Sequence, residues 1–193
     1  MQGGPRSPLL KELFLKVTEI LKEEHQDILR HLGKMKDVFS SPNWQNVKTW
    51  QYFISFLKIY ADKFHHIKEE DIYFPWMQEK NPELEHGPLK CMLHEHKQTR
   101  ALISQADYEL EKIAKGDLSK WPIFKDTMEL YIRTLEEHIH KEDNVLYRFA
   151  EGLNSEHKDG DKLMLPLFNL VEVNYKDQVA QFKEIGQIST FQI

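Results

Sequence analysis

A histidine and a glutamate four residues apart on a helix lie on one face, one turn from each other, and can hold a metal ion between them. That spacing occurs in Phe64-His65-His66-Ile67-Lys68-Glu69-Glu70-Asp71-Ile72-Tyr73-Phe74-Pro75, as His65 with Glu69 or His66 with Glu70, and again in His138-Ile139-His140-Lys141-Glu142. Two further histidines, His25 and His96, fall on the apolar rows of other segments. A single core histidine is most often just a satisfied buried residue. Two glutamates and four histidines on inward rows are another matter, because an unpaired buried carboxylate costs several kcal/mol. A metal supplies the missing positive charge, and imidazole with carboxylate suits iron, zinc, manganese or copper.

The elements that must position these residues read as helices. Phe14, Val17, Leu21, His25, Ile28, Leu32, Met35 and Phe39 follow steps of three and four, until Ser40-Ser41-Pro42-Asn43 breaks the row and Ser41 or Asn43 offers a cap for the next helix. The second helix runs from about Trp44 towards Pro75 on Trp50, Ile54, Leu57, Ala61, Phe64 and Ile72. At about 100° per residue, His65 and Glu69 sit at the edge of that stripe, whereas His66 and Glu70 point away from it. A proline-bounded loop follows, and then a third helix carries Leu89, Met92, His96, Ile103, Ala106, Leu110 and Ile113 to a glycine stop at Gly116. Asp117 or Ser119 is placed to cap a fourth, with Phe124, Met128, Tyr131, Leu135, His138, Glu142, Val145 and Phe149 in one stripe.

Four long amphipathic segments joined by short breakers predict an all-α, antiparallel up-down four-helix bundle over residues 8–152, after a loose leader at 1–7. Residues 153–193 form an extension containing one more helical segment, with Pro166 near its start and Leu167, Leu170, Val171, Val179 and Phe182 marking its helical tendency. Apart from the His/Glu spacing no sequence repeat is read, nor any dinucleotide fingerprint or phosphate loop. In such a bundle His25, His65, Glu69, His96, His138 and Glu142 converge on one axis. Six ligands with two bridging carboxylates favour two ions over one. Of about twelve octahedral positions, about two stay open for water or an oxidant.

Composition narrows the setting. The 193 residues carry a net charge of -5, with basic residues scattered among acidic ones, which argues against nucleic acid or an anionic membrane as partner. No apolar run spans a bilayer, and no secretory h-region opens the sequence. One cysteine, Cys91, excludes an intrachain disulfide framework or thiolate cluster and fits a reducing, cytoplasmic compartment. Cys91 reads as a buried small side chain, the tryptophans as core, and His31, His94 and His157 as surface residues. Two Glu-x-x-His strings of the ferritin-like type, Glu83/His86 and Glu137/His140, fall in a loop and off the stripe.

At these residues the chain resembles the hemerythrin-like, or HHE cation-binding, family over roughly residues 10 to 152. The matching pieces are Leu21-Lys22-Glu23-Glu24-His25, His65-His66-Ile67-Lys68-Glu69-Glu70 into Tyr73-Phe74-Pro75, Gly87-Pro88 with Met92-Leu93-His94-Glu95-His96, and His138-Ile139-His140-Lys141-Glu142-Asp143-Asn144. The resemblance implies a bundle around a non-heme centre of two iron ions, with manganese or zinc as substitutes. It makes His25, His65, Glu69, His96, His138 and Glu142 the ligands, and Glu69 and Glu142 the bridges. Oxygen-carrying members have a further histidine where this chain has Met92, and a bridging aspartate five residues after the last histidine where this chain has Glu142 at four. Those departures point away from simple reversible oxygen carriage. His86, Glu95, Tyr60 and Tyr131 all stand as candidates for the missing ligand.

Two functions are expected to compete. One is a di-iron protein that binds or reduces dioxygen, peroxide or nitric oxide; the other is a sensor module whose fold is ordered by metal and read by a partner, without turnover. A purely structural bundle would be as stable without metal as with it.

Overall fold

The computed structural model describes residues 16–187, with side chains through Glu184. The leader at 1–7, Phe14 and the last six residues lie outside that range. The described residues form five helical rods and no strand. They are α1 (Val17–Phe39), α2 (residues 47–80), α3 (Pro88–Ala114), α4 (residues 121–157) and α5 (Gly160–Gln187). Asn46, rather than Ser41 or Asn43, caps α2 by accepting from the Thr49 amide at 3.1 Å. Gly116, at φ 102°, ends α3 as its position suggested. Neither Asp117 nor Ser119 caps α4, which opens at Trp121 behind Lys120.

Two apolar clusters fill the bundle, with the polar residues of interest between them. One holds Ile28, Leu32, Met35, Trp50, Phe53, Ile103, Phe124 and Leu135 among others; the second holds Val17, Leu21, Tyr73, Phe74, Met92, Leu146, Tyr147 and Phe168. Along α1 the chain passes from the second cluster to the first, along α2 back again, then forward on α3 and back on α4. Adjacent helices are therefore antiparallel, and each crosses the middle layer once.

Two of the rods change their pitch in that layer. Within α2, Val47–Phe56 is α-helical, Leu57–His66 and Glu69–Tyr73 are π-helical, and Phe74–Lys80 is α-helical again. Within α4, Glu142–Leu146 is a π-turn between Trp121–Lys141 and Tyr147–His157. A π-turn fits an extra residue into one turn, so every side chain after it rotates relative to α-helical phase. The expectation for Val145 and Phe149 fails for this reason: they are 64% and 43% exposed, and Leu146 and Tyr147 are buried in their place.

α5 packs against α1 and the π-helical part of α2 through Met164, Phe168, Val171, Val179 and Phe182, leaving Leu167 and Leu170 exposed. His31 is buried beneath Tyr52 and Phe56 of α2, contrary to the surface position expected. Its Nδ1 donates to the Asp27 carbonyl at 2.9 Å, its Nε2 accepts from the Tyr52 hydroxyl at 3.0 Å, and its ring stacks on Phe56 at 3.6 Å. Burial, above all, lowers its pKa from 6.5 to about 4. The stability this neutral ring contributes is present above the unfolded value and is lost as pH falls from about 6.5 towards 4. The loss amounts to about 3 kcal/mol. Urea unfolding should show that His31→Gln, which cannot titrate, loses this part of the acid sensitivity relative to the parent chain. An unchanged difference between pH 7 and pH 4.5 would refute the assignment.

Candidate metal centre

In the middle layer the six expected residues meet. His25 of α1, His65 and Glu69 of α2 and Glu142 of α4 offer ligand atoms that all lie within 4.8 Å of one another. A second quartet, His66, Glu69, His96 and His138, does the same and shares Glu69 with the first. Glu142 also lies between them, its Oε2 being 3.3 Å from His25 Nε2 and 3.2 Å from His138 Nε2. All seven side chains are at most 2% exposed.

His66 is the residue that periodicity missed. The π-helical turn from Leu57 to His66 brings it into the interior with its neighbour His65, and its ring stacks on His96 with centroids 3.8 Å apart. Met92 stays in the apolar cluster, so the fifth imidazole comes from α2. The other candidates for that place are engaged elsewhere. Tyr60 donates to Asp27, Tyr131 is packed in the first apolar cluster, Glu95 holds His138, and His86 is exposed on a 3-10 turn. Cys91 is exposed rather than buried, since it and Met92 cannot share a helix face.

Four of the imidazoles are oriented by carboxylates. The Nδ1 atoms of His25, His65, His96 and His138 donate to Asp143 (2.8 Å), Glu24 (2.8 Å), Glu70 (2.6 Å) and Glu95 (2.9 Å). With the proton on Nδ1, each neutral ring turns an Nε2 lone pair inward. His25 and His65 then face each other Nε2 to Nε2 at 2.9 Å, and so do His96 and His138. Two lone pairs at that distance repel, so each pair needs a cation: a proton between the two nitrogens in the metal-free protein, or a metal ion beside both. The separation is close to the edge of an octahedron with arms of ~2.1 Å, about 3.0 Å, and shorter than the tetrahedral edge of about 3.4 Å.

The carboxylates want a cation too. Glu69 Oε2 and both oxygens of Glu142 are buried without a hydrogen-bond partner; the nearby imidazole nitrogens are within ion-pair range but not aligned to donate. Burial, helped by Glu142, raises the Glu69 pKa well above the usual range. Burial also acts to raise that of Glu142, but His138, His25 and His96 outweigh it and hold Glu142 ionised. His138 rises to about 9, burial opposing and the Glu142 and Glu95 carboxylates prevailing. His65 and His66 are lowered, chiefly by burial and then by their imidazole neighbours. His25 is raised too, burial opposing and its Asp143 and Glu142 partners prevailing, so without metal the layer holds protons on histidine and on Glu69, which ion binding would release. The residues present fit a cation.

A family model described as the hemerythrin HHE cation-binding domain matches residues 16–150. The chain belongs to that family. No curated protein and no solved structure matches it.

The HHE domain is built on an internal repeat longer than the His/Glu spacing read from the sequence. Glu24-His25 on α1 corresponds to Glu95-His96 on α3, and His65-x-x-Lys68-Glu69-Glu70 on α2 to His138-x-x-Lys141-Glu142-Asp143 on α4. Each corresponding residue does the same work. Glu24 and Glu95 hold the Nδ1 of the paired histidine and accept from Lys68 and Lys141, while Glu70 and Asp143 hold the Nδ1 of the lone histidines. The departures from this repeat separate the two halves. His66 corresponds to Ile139, giving one quartet its third imidazole, and Tyr147 corresponds to Phe74. Tyr147 stacks on His25, with centroids 5.4 Å apart, and its hydroxyl donates to Glu69; Phe74 stacks on His96 and has no hydroxyl to offer.

Proposed function

We propose that this HHE domain holds two iron ions, bridged by Glu69 and Glu142, and uses them to bind and reduce a small oxidant: dioxygen, peroxide or nitric oxide. The observation that carries the reading is the pair of facing Nε2 lone pairs on either side of the shared, under-satisfied Glu69. His25 and His65 would hold one ion, and His66, His96 and His138 the other. Bound there, iron supplies electrons and Lewis acidity. The chain's part is to fix each imidazole through a carboxylate, to hold Glu69 by the Tyr147 hydroxyl, and to exclude water. With every ligand side chain at most 2% exposed, only a small molecule can reach the centre. Manganese or zinc can occupy the same donors, and the single cysteine accords with a reducing, cytoplasmic setting.

A second reading, a sensor ordered by metal, draws on α5, all of which lies beyond the matched region. Glu172 of α5 accepts from Lys68 at 2.6 Å, Lys68 donates to Glu24, and Glu24 accepts from His65. Helix docking and ligand orientation are therefore linked. The decisive measurement is metal per chain by elemental mass spectrometry, on protein produced with iron, manganese and zinc all available. About two irons per chain, with peroxide consumed by the loaded protein, is the expected result. Little or no metal with the helices intact would overturn the metal reading. Loaded protein that leaves all three oxidants untouched, and loses α5 to protease only when stripped, would favour the sensor.

A further inference from the structure

Tyr147 is the first of three oxidisable rings that lead away from the centre. Its ring meets that of Tyr73 edge-on with centroids 5.6 Å apart, and Tyr73 stacks on Trp76 at 6.5 Å and 15°. The hydroxyl of Tyr73 is hydrogen-bonded to Thr18 at 2.8 Å. Trp76 reaches the boundary: it is 6% exposed, its indole N–H points to Asp159 at 3.4 Å, and Asp159 pairs with Lys80 at 2.8 Å in contact with solvent. The helix start at Gly160 lies on the indole so closely that an added Cβ would stand 2.7 Å from its ring. That approach fixes the ring in place.

Packing alone does not ask for these residue types. By the repeat, Tyr73 corresponds to Leu146, Tyr147 to Phe74 and Trp76 to Phe149. All three mates are resistant to one-electron oxidation. Every departure at these positions places an oxidisable ring on the same side, beside the His25 and His65 quartet, in a continuous file from Glu69 to the surface.

We propose that Tyr147, Tyr73 and Trp76 form an electron path joining the metal centre to the surface beside Asp159 and Lys80, where a small one-electron donor of the ascorbate or thiol class delivers electrons. The proposal rests on the oxidant-reducing reading. When a peroxide-class oxidant held at the centre draws one electron, Tyr147 gives it, and the phenolic proton passes to Glu69 along the existing hydrogen bond. Trp76 then gives an electron across the Tyr73 ring to Tyr147, which takes its proton back from Glu69. The indole N–H proton of Trp76 leaves to Asp159 and water. The donor at the surface, losing one electron, restores Trp76 with a proton from water. Two such passes, with two protons from solvent, balance the reduction of one hydrogen peroxide to two waters. Strong oxidising equivalents leave by this file rather than consuming the ligands.

The path can be driven from its outer end without any oxidant at the centre. A ruthenium tris-bipyridyl photosensitiser is attached through Glu79→Cys in a Cys91→Ser background; position 79 is exposed and one turn from Trp76. The protein is loaded anaerobically with iron(II). Flash-quench oxidation should give a tryptophan radical in transient absorption, followed by oxidation of the iron. Trp76→Phe, Tyr73→Phe and Tyr147→Phe should each slow the iron oxidation by about tenfold or more, and Trp76→Tyr should restore it. Tyr147→Phe and Trp76→Phe place at each position the ring its repeat mate already has, and equal iron loading verifies the fold. Iron oxidised at the same rate in all variants overturns the path. If peroxide is not consumed by loaded protein while the flash results hold, the oxidant reading fails and the path stands. The reverse pattern removes the path alone.

Discussion

Glu69→Ala should leave the chain with almost no bound metal, whereas His66→Ala should keep about one ion per chain of the two expected. Glu69 is the one residue common to both quartets, with Oε2 3.6 Å from His65 Nε2 and 3.5 Å from His96 Nε2, so its loss strips a donor from each ion at once. His66 belongs to one quartet only. Elemental analysis after iron loading and desalting reads both. A structural role for Glu69 would predict unfolding instead. The metal-free geometry argues otherwise, because the carboxylate is buried with its Oε2 unpaired and with Tyr147 as its hydrogen-bond donor. Removing such a group relieves a desolvation cost, and the metal-free variant should be no less stable than its parent. Two ions retained by Glu69→Ala, or equal losses in the two variants, would defeat the shared-carboxylate arrangement.

Lys68→Met should destabilise the protein by about 3–5 kcal/mol, while Lys141→Met at the corresponding place in the repeat should cost at most about 1 kcal/mol. The Lys68 ammonium is fully buried, between Glu24 and Glu172 and 3.6 Å above the Phe64 ring. Methionine keeps most of the stem's volume and removes the charge, which leaves Glu24 buried beside His65 with no cation. Even with the ammonium in place, burial raises Glu24 to about 7, with Lys68 opposing the shift. The Lys141 side chain, in contrast, is 42% exposed and pairs with Glu95 near the surface. Urea unfolding of both variants measures the contrast. Equal, small effects would mean that α5 does not seal the first half of the repeat in solution.

The rows of apolar residues made the helices legible, because each was covered mainly on one side. Val17, Leu21, His25, Ile28, Leu32 and Met35 are all buried as read, and so is the whole row from Leu89 to Ile113. His31 escaped because Tyr52 and Phe56 of α2 cover it, which widens the buried face of α1 beyond a single row. The π-turns were not legible: Leu57–His66 and Glu142–Leu146 contain neither glycine nor proline, and nothing in them announces a change of pitch. That change brought His66 inward and exchanged Val145 and Phe149 for Leu146 and Tyr147. The carboxylates that orient the imidazoles left a readable trace. Glu stands directly before each lone histidine, and each paired glutamate is flanked by Lys before it and Glu or Asp after it, so aligning the two halves of the chain would have revealed them.

The way the quartets are assembled has a consequence for the chain as a polymer. One takes its donors from α1, α2 and α4, the other from α2, α3 and α4, so neither helical hairpin holds a complete set. Each ion would tie the N-terminal half to the C-terminal half, one from His25 to Glu142 and the other from His66 to His138. In a chain with one cysteine, two such ties take the place that cross-links hold elsewhere, and unlike a disulfide each closes only after three helices have met.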